Sequence, residues 1–335
     1  MQVEGIVGHG PLHLPALPRG HGNASGFRAQ RSVGMMAQVK RIAVLGTGTM
    51  GRAFARRLLA AGMQVSVWDL SREAAMRLHG AGATVAQTAE DAVRDADVVL
   101  TIVPTIASIE ETMPRALAAM RSGAIWLQMS TIGVEGTRRA FALAQQRRPD
   151  VVFVDAPVSG SKTPAEEGKL LILASGPAGA LDALVPVFSV LGQKTMRWER
   201  PGTGSRMKLV LNTWLAVLAE GITETAALAQ SLDLPLADFE ACLQSTALGA
   251  PWALAKLGKI ERNDFSPEFS LALAAKDLHL ALDAANGTGR KLPVTESLAA
   301  QWDRALERGL GDRDVVGAYL ALRAEPASEP APALR

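Results

Sequence analysis

GTGSRMKLVLN, residues 202 to 212, sets Lys208 and Asn212 four residues apart in a stretch of helix formers. At that spacing both side chains leave one helix face, a single turn apart. The rest of that face is apolar, and a lysine and an asparagine on a buried stripe need partners or a ligand. A lysine amine beside a nicotinamide can donate to a carbonyl oxygen and protonate it as hydride arrives. Spacing alone leaves another reading open, in which Lys208 sits on the first turn and snorkels to solvent.

A dinucleotide turn would supply the other half of that chemistry. VLGTGTMGRAF, residues 44 to 54, carries Gly46, Gly48 and Gly51 at G-x-G-x-x-G spacing, with Thr47, Thr49 and Met50 between them. In such a turn the first glycine permits the bend, the second lets backbone approach a pyrophosphate, and the third lets the helix pack close to the strand. The helix N-terminus then offers unpaired N–H groups and a positive dipole end to the phosphates. Asp69 follows Gly51 by 18 residues, at the end of the next apolar run. A carboxylate there accepts from both adenosine ribose hydroxyls and repels a 2′-phosphate. That favours NAD over NADP, although Arg72 is near enough in sequence to reach such a phosphate.

Two further stretches carry polar groups at informative places. DAPVSGSKTPAEEGKLLILASG, residues 155 to 176, begins where a predicted strand ends, the edge at which open α/β sheets bind ligands. Its small-residue loop, Ser159, Gly160 and Ser161, exposes N–H groups and hydroxyls suited to a carboxylate, and reads equally well as an ordinary β-turn. AAKDLHLALDAA, residues 274 to 285, puts Lys276 and His279 on one helix face with Asp277 adjacent. Lys276 can reach a cofactor or substrate oxygen; a solvated charged face is the commoner arrangement. His279 shows neither a paired acid nor metal-ligand spacing and reads as structural.

Positioning these groups requires a particular set of elements. Apolar runs at 41–45, 64–68, 84–86, 97–103, 124–129 and 151–155 read as strands, alternating with helical sequence that includes 50–61 and 72–79. Alternation of this kind implies a parallel sheet with helices on both faces. Runs at 169–174 and 195–198 extend the strand set, with a helix over 178–190 in which Pro186 is a candidate kink. From Met207 to Leu232 the sequence predicts one long helix, apolar enough all round to be buried on most sides. Only helical segments follow, to about Arg323. The chain therefore divides into an α/β domain over 40–201 and an all-helical substrate and oligomerisation domain over 202–324.

Composition narrows the function classes. The 335 residues, 48% hydrophobic, can bury a substantial core. A net charge of +2 gives no electrostatic case for nucleic acid or an anionic membrane. Cys242 is the single cysteine, which excludes an internal disulfide and suits a reducing compartment such as the cytoplasm. No apolar run is long enough for a membrane span. Residues 1–39, rich in Gly, Pro and His, read as a disordered leader, with Met35 or Met36 as alternative starts, and residues 325–335 as a disordered tail.

Taken in order, these motifs resemble the β-hydroxyacid dehydrogenases, the 3-hydroxyisobutyrate dehydrogenase superfamily, from about Arg41 to Arg323. The resemblance rests on GTGTMG, STI at Ser130 to Ile132, DAPVSGS, the glycine-lysine-asparagine element ending in Lys208 and Asn212, and KDL at Lys276 to Leu278. SGSKTPAEEGKLLILASG looks closest to the glyoxylate and succinic semialdehyde reductase branch. The resemblance implies a Rossmann domain with a parallel-rich sheet, an all-α C-terminal domain joined to it by a long helix, and reversible hydride transfer to a small hydroxy acid or semialdehyde. By position it makes Lys208 the catalytic acid/base and Asn212 an orienting group. It makes Ser159, Gly160 and Ser161 the carboxylate cradle. It sets Thr131 and the loop Val103, Pro104 and Thr105 along the cofactor, with Lys276 contacting or closing over it. The cofactor is NAD or NADP, no metal is expected, and a homodimer or homotetramer is implied.

Two departures stand out. Gly133 and Val134 occupy positions where the family often has proline. Asp69-Leu70-Ser71 replaces the Asn-Arg-Thr by which the reductase branch engages NADP, so branch and cofactor signals point in different directions. An imine reductase on the same scaffold is one competing function, disfavoured by Lys208. A dinucleotide-binding module without catalysis is another, disfavoured by the intact lysine and asparagine pair.

Overall fold

The computed structural model describes residues 39–322. The leader expected over 1–39 (Val39 apart) and the tail expected over 325–335 lie outside them. The elements run β1 (Arg41–Leu45), α1 (Thr49–Ala60), β2 (Gln64–Trp68), α2 (Arg72–Met76), β3 (Thr84–Val85), α3 (Ala89–Val93), β4 (Val98–Thr101), α4 (Ile106–Ala119), β5 (Ile125–Gln128), α5 (Gly133–Arg147) and β6 (Val152–Asp155). There follow β7 (Val158–Ser159), α6 (Lys162–Glu167), β8 (Leu170–Ser175), α7 (Ala178–Ala183), α8 (Val185–Leu191), β9 (Gly192–Trp198) and α9 (Thr203–Ser231). The chain continues through α10 (Leu236–Gln244), α11 (Pro251–Glu261), α12 (Leu271–Asn286), α13 (Pro293–Glu307) and α14 (Tyr319–Leu322).

Strand order is β3-β2-β1-β4-β5-β6-β8-β7, and β9 pairs with β8. The first six are parallel neighbours in the order of doubly wound dinucleotide-binding sheets, 3-2-1-4-5-6. Strand β8 runs antiparallel to β6 and β7 and parallel to β9. Alternation along β1 shows how the sheet is covered. Ile42 and Val44 point into a core with Phe54 and Leu58 of α1, while Ala43 and Leu45 point into the opposite core with Ile109, Met113 and Trp126. A third core, around Trp302, Leu257, Leu271 and Tyr319, belongs to the helical half.

The expected helix over 72–79 stops at Met76 and resumes as a short 3-10 turn at His79–Ala81. The helix expected over 178–190 is two helices broken at Leu184, with Pro186 in the first turn of the second, where a missing N–H costs nothing. Helix α9 starts at Thr203, earlier than the sequence suggested, and has 29 residues. It is not buried on most sides. Val210, Trp214 and Leu228 are 63%, 60% and 57% exposed, so one apolar stripe faces outward. His279 does have an acid partner: its Nε2 lies 2.9 Å from Asp303 Oδ1 on α13, a pairing invisible to local spacing. No helix among the described residues is long and apolar enough to cross a membrane.

Candidate active site

Helices α2, α3 and α4 are each capped by their own Ser71, Thr88 or Thr105, whose hydroxyl accepts an N–H three residues on. Helix α1 has no side-chain cap. Its N-terminus opens at the glycine turn, so its free N–H groups face the place a pyrophosphate would take. The glycines there differ in role. A Cβ on Gly46 (φ 98°) would meet Ile102 O at 2.3 Å, and one on Gly51 would meet Gly46 O at 1.9 Å. A Cβ on Gly48 would meet nothing within 4 Å, leaving that backbone open to a ligand. These residues fit a dinucleotide.

Asp69 stands at the end of β2, as the sequence reading expected, but its oxygens already have partners. Oδ2 accepts the Thr47 N–H at 2.6 Å and the Thr47 hydroxyl at 3.0 Å, and Oδ1 accepts the Ser71 N–H at 2.9 Å. Three of a carboxylate's roughly four acceptor positions are therefore filled. Accepting two ribose hydroxyls requires the Thr47 hydroxyl to turn away. Arg72, the first residue of α2, is exposed.

The loops after β4 and β5 are tied together by Ser130, whose hydroxyl accepts the Val103 N–H at 2.8 Å. Ser130 is itself fixed by Gln128, which accepts its N–H at 2.6 Å and donates to its carbonyl at 2.9 Å. Pro104 and Thr131 thus present their carbonyl oxygens side by side. Lys276 Nζ, reaching across from α12, donates to both, at 3.1 Å and 2.6 Å. That amine also lies 2.9 Å from Asp277 Oδ1. Lys276 is therefore not a solvated surface charge; it clamps the helical half onto both loops. At the departure noted in the sequence, a side chain on Gly133 would run into Leu280 of α12, within 2.8 Å of its Cδ2.

Asn212, 5% exposed, donates through Nδ2 to Asp277 Oδ2 at 2.6 Å. Lys208, one turn earlier on α9, is partly buried. Desolvation pulls its ammonium pKa down to about 8; Asp277 pushes it up and Lys276 pushes it down. Four residues converge here, and Asp277 is the one that sequence reasoning did not assign. The only clue lay in its place between Lys276 and Leu278 in the KDL triplet. Trp214, two residues beyond Asn212, is on the outward face of α9 and does not line this group.

Ser159 ends β7, Gly160 is exposed, and Ser161 precedes α6 without a side-chain hydrogen bond to it. A Cβ on Gly160 would meet Leu170 Cδ2 at 2.6 Å, so the loop lies flat against β8.

Two family models cover nearly all of the described chain. The NAD binding domain of 6-phosphogluconate dehydrogenase matches residues 41–199, and the NAD-binding domain of NADP-dependent 3-hydroxyisobutyrate dehydrogenase matches residues 202–322. An NAD-dependent L-serine dehydrogenase of Pseudomonas aeruginosa is 33% identical over 287 residues, 82% of this chain and 95% of its own. Glyoxylate/succinic semialdehyde reductase 1 of Arabidopsis thaliana is 28% identical over 82% of this chain and 95% of its own. A solved 3-hydroxyisobutyrate dehydrogenase of Mycobacterium tuberculosis with L-serine superposes with a TM-score of 0.77 at 31% identity, covering 85% of this chain and 100% of that one. A Myxococcus stipitatus imine reductase shares the fold more distantly, at 20% identity and a TM-score of 0.57.

Proposed function

The chain belongs to the 3-hydroxyisobutyrate dehydrogenase-like family of NAD(P)-dependent oxidoreductases, and from that premise we propose that Lys208 moves the proton in its reaction. The observation that carries the reading is the buried Asn212–Asp277 hydrogen bond, which joins α9 to α12 beside an amine whose pKa is about 8.

When bound, the nicotinamide accepts or gives the hydride. The residues of the glycine turn, Gly46 to Gly51, with the uncapped start of α1, would hold its phosphates, and Asp69 its adenosine ribose. Asp69 supports NAD over NADP by charge, with Arg72 as the residue that would engage a 2′-phosphate. Val103, Pro104, Thr131 and Lys276 would line the rest of the cofactor's path.

Ser159, Gly160 and Ser161 bind the substrate carboxylate and so fix which end of the molecule faces α9. In the reductive direction Lys208 donates a proton from Nζ to the carbonyl oxygen. In the oxidative direction its neutral amine accepts the hydroxyl proton. Asn212, held by Asp277, orients both the lysine and the oxygen that it serves. The substrate class we infer is a small acid with a hydroxyl or aldehyde one carbon beyond the α-carbon, the class to which serine belongs.

Residues 40–201 would then carry the cofactor, and residues 202–324 the substrate lysine and the contacts between copies. The outward apolar stripe of α9 supports a homodimer or homotetramer, and a single exposed cysteine suits a cytoplasmic location.

Replacing Lys208 by alanine tests the reading. Turnover should fall about 10²- to 10⁴-fold, the usual contribution of a general acid/base, while titration of reduced cofactor still gives one site of near-normal affinity. Unchanged turnover of the preferred substrate would refute it. A screen of L-serine, 3-hydroxyisobutyrate, glyoxylate and succinic semialdehyde with both cofactors identifies that substrate.

A further inference from the structure

Asp155, the last residue of β6, is fully buried, and the proton transfer does not use it. Its Oδ2 accepts the Ser205 N–H at 2.9 Å and the Ser175 hydroxyl at 3.2 Å, and its Oδ1 accepts the Ser205 hydroxyl at 2.7 Å. Ser175 Oγ in turn accepts the Gly204 N–H at 3.1 Å. Thr137 of α5 closes the cluster, with its Oγ1 2.9 Å from Ser205 Oγ.

Gly204 and Ser205 are the second and third residues of α9. N–H groups in a first turn have no partner inside their own helix, and Gly202, which precedes α9, carries no side chain to supply one. Asp155 and Ser175 supply the acceptors from the sheet instead. A carboxylate at that end also matches the helix dipole. The approach is close: a Cβ on Gly204 would come within 1.9 Å of Leu173 O and 3.3 Å of Asp155 O. Both requirements explain residues of the glycine-lysine-asparagine element that the chemistry alone leaves unaccounted for.

We infer that Asp155 is the positioning residue for Lys208: by holding the Gly204–Ser205 turn, it fixes where the lysine amine stands relative to the Ser159–Ser161 loop, which begins four residues later at the end of β7. Lys208 is one helical turn beyond Gly204, so a slip of one residue in the docking would displace the amine by about 1.5 Å along the axis. Misplacement of about 1 Å at reacting atoms lowers rate roughly 10²-fold. Burial pushes the Asp155 carboxyl up to about 6, while the Ser205 and Ser175 hydrogen bonds and the positive Arg206 work in the opposite direction. The charge that docks α9 is thus sustained chiefly by α9 itself.

This inference rests on Lys208 as the proton donor, and its test is built to separate the two. Asp155→Asn, Ser205→Ala and Lys208→Ala are compared in the full-chain enzyme, with active sites counted by titration with reduced cofactor. The substrate is the hydroxy acid found to turn over, with and without deuterium at its carbinol carbon. Asp155→Asn should lower kcat per cofactor site about tenfold or more, and Ser205→Ala about threefold. KM should change little, and the isotope effect on kcat should rise, because chemistry has become slower than product release. A residue needed only for folding would reduce the number of sites and leave kcat per site and the isotope effect alone. If Asp155→Asn fails to fold, Ser205→Ala decides, since it keeps the carboxylate and the backbone hydrogen bond. Wild-type kcat per site with an unaltered isotope effect in the folded variants would overturn the inference. Wild-type turnover in Lys208→Ala would instead overturn the premise about the lysine.

Discussion

Asn212 Nδ2 donates to Asp277 Oδ2 over 2.6 Å, joining residues 65 apart in the chain. Asp277 thereby serves three groups at once, because the same carboxylate lies 2.9 Å from the Lys276 amine and raises the pKa of Lys208. Asp277→Asn keeps a hydrogen-bonding partner for Asn212 and removes the charge. The Lys208 pKa should then fall below its present value of about 8, by roughly one unit for a nearby opposite charge. The pH midpoints of reduction and oxidation should both move down by about one unit, and reduction at pH 7 should slow about twofold. Profiles of kcat against pH for both directions check this; unmoved midpoints would show that Asp277 does not act on the lysine.

The wild-type profile has a definite sign. A donor lysine must be protonated for reduction and neutral for oxidation. Reduction should therefore be fastest below about pH 8 and decline above it, while oxidation should rise through about pH 8. Two profiles of the same slope direction would exclude a single lysine as the shared proton carrier.

Cofactor choice should turn on Asp69. With the carboxylate present, kcat/KM should favour NAD over NADP. Asp69→Ser should cut the efficiency with NAD by about 10- to 100-fold, the range for a hydrogen bond to a charged group, and raise the relative use of NADP. Because Asp69 also accepts the Thr47 N–H at 2.6 Å, some NAD affinity should be lost through the glycine turn as well. Steady-state comparison of both cofactors measures the ratio, and an NADP preference in the wild type would reverse the assignment.

Stability of the helical half should depend on Lys256 and Asp314. They are 2% and 0% exposed, with Nζ 2.9 Å from both carboxylate oxygens. Asp314 also accepts the Glu268 N–H at 3.0 Å. Asp314→Ala leaves the buried ammonium only the half-exposed Glu268 carboxylate, 3.2 Å away, and should cost about 3–5 kcal/mol. For a chain of this size that lowers Tm by roughly 4–7 °C in a calorimetric scan. A shift within a degree or two would mean that the pair contributes little.

The sheet was legible because its strands are short apolar runs bounded by glycines and acids. Gln64–Trp68 has the bounds expected for β2, and the glycine turn lies between β1 and α1. Of the candidate site, the arrangement was legible wherever its residues sit in one local motif, as Lys208 and Asn212 do one turn apart on α9. What could not be read was the partnership between distant elements. Asp277 bonds to a residue 65 positions away, Asp155 to one 50 away, and Lys276 to carbonyls 145 and 172 away. Hydrogen bonds to backbone carbonyls leave no signature in residue type at the accepting position. The outward stripe of α9 was hidden for a different reason: apolar content alone does not say which side of a helix finds a neighbour.

The docking of α9 also bears on how such chains could be recombined. The stretch between Trp198 and Thr203 lies where strand gives way to helix, and a crossover placed there would look neutral to anyone building chimaeras of related enzymes. It is not neutral. Gly204 and Ser205, on the downstream side, are fitted to Leu173, Asp155 and Ser175 on the upstream side. A transplanted helical half would need a glycine and a serine in register with its new host's strand ends, or its lysine would arrive in the wrong place. The junction that looks simplest to cut is therefore one that has to be inherited whole.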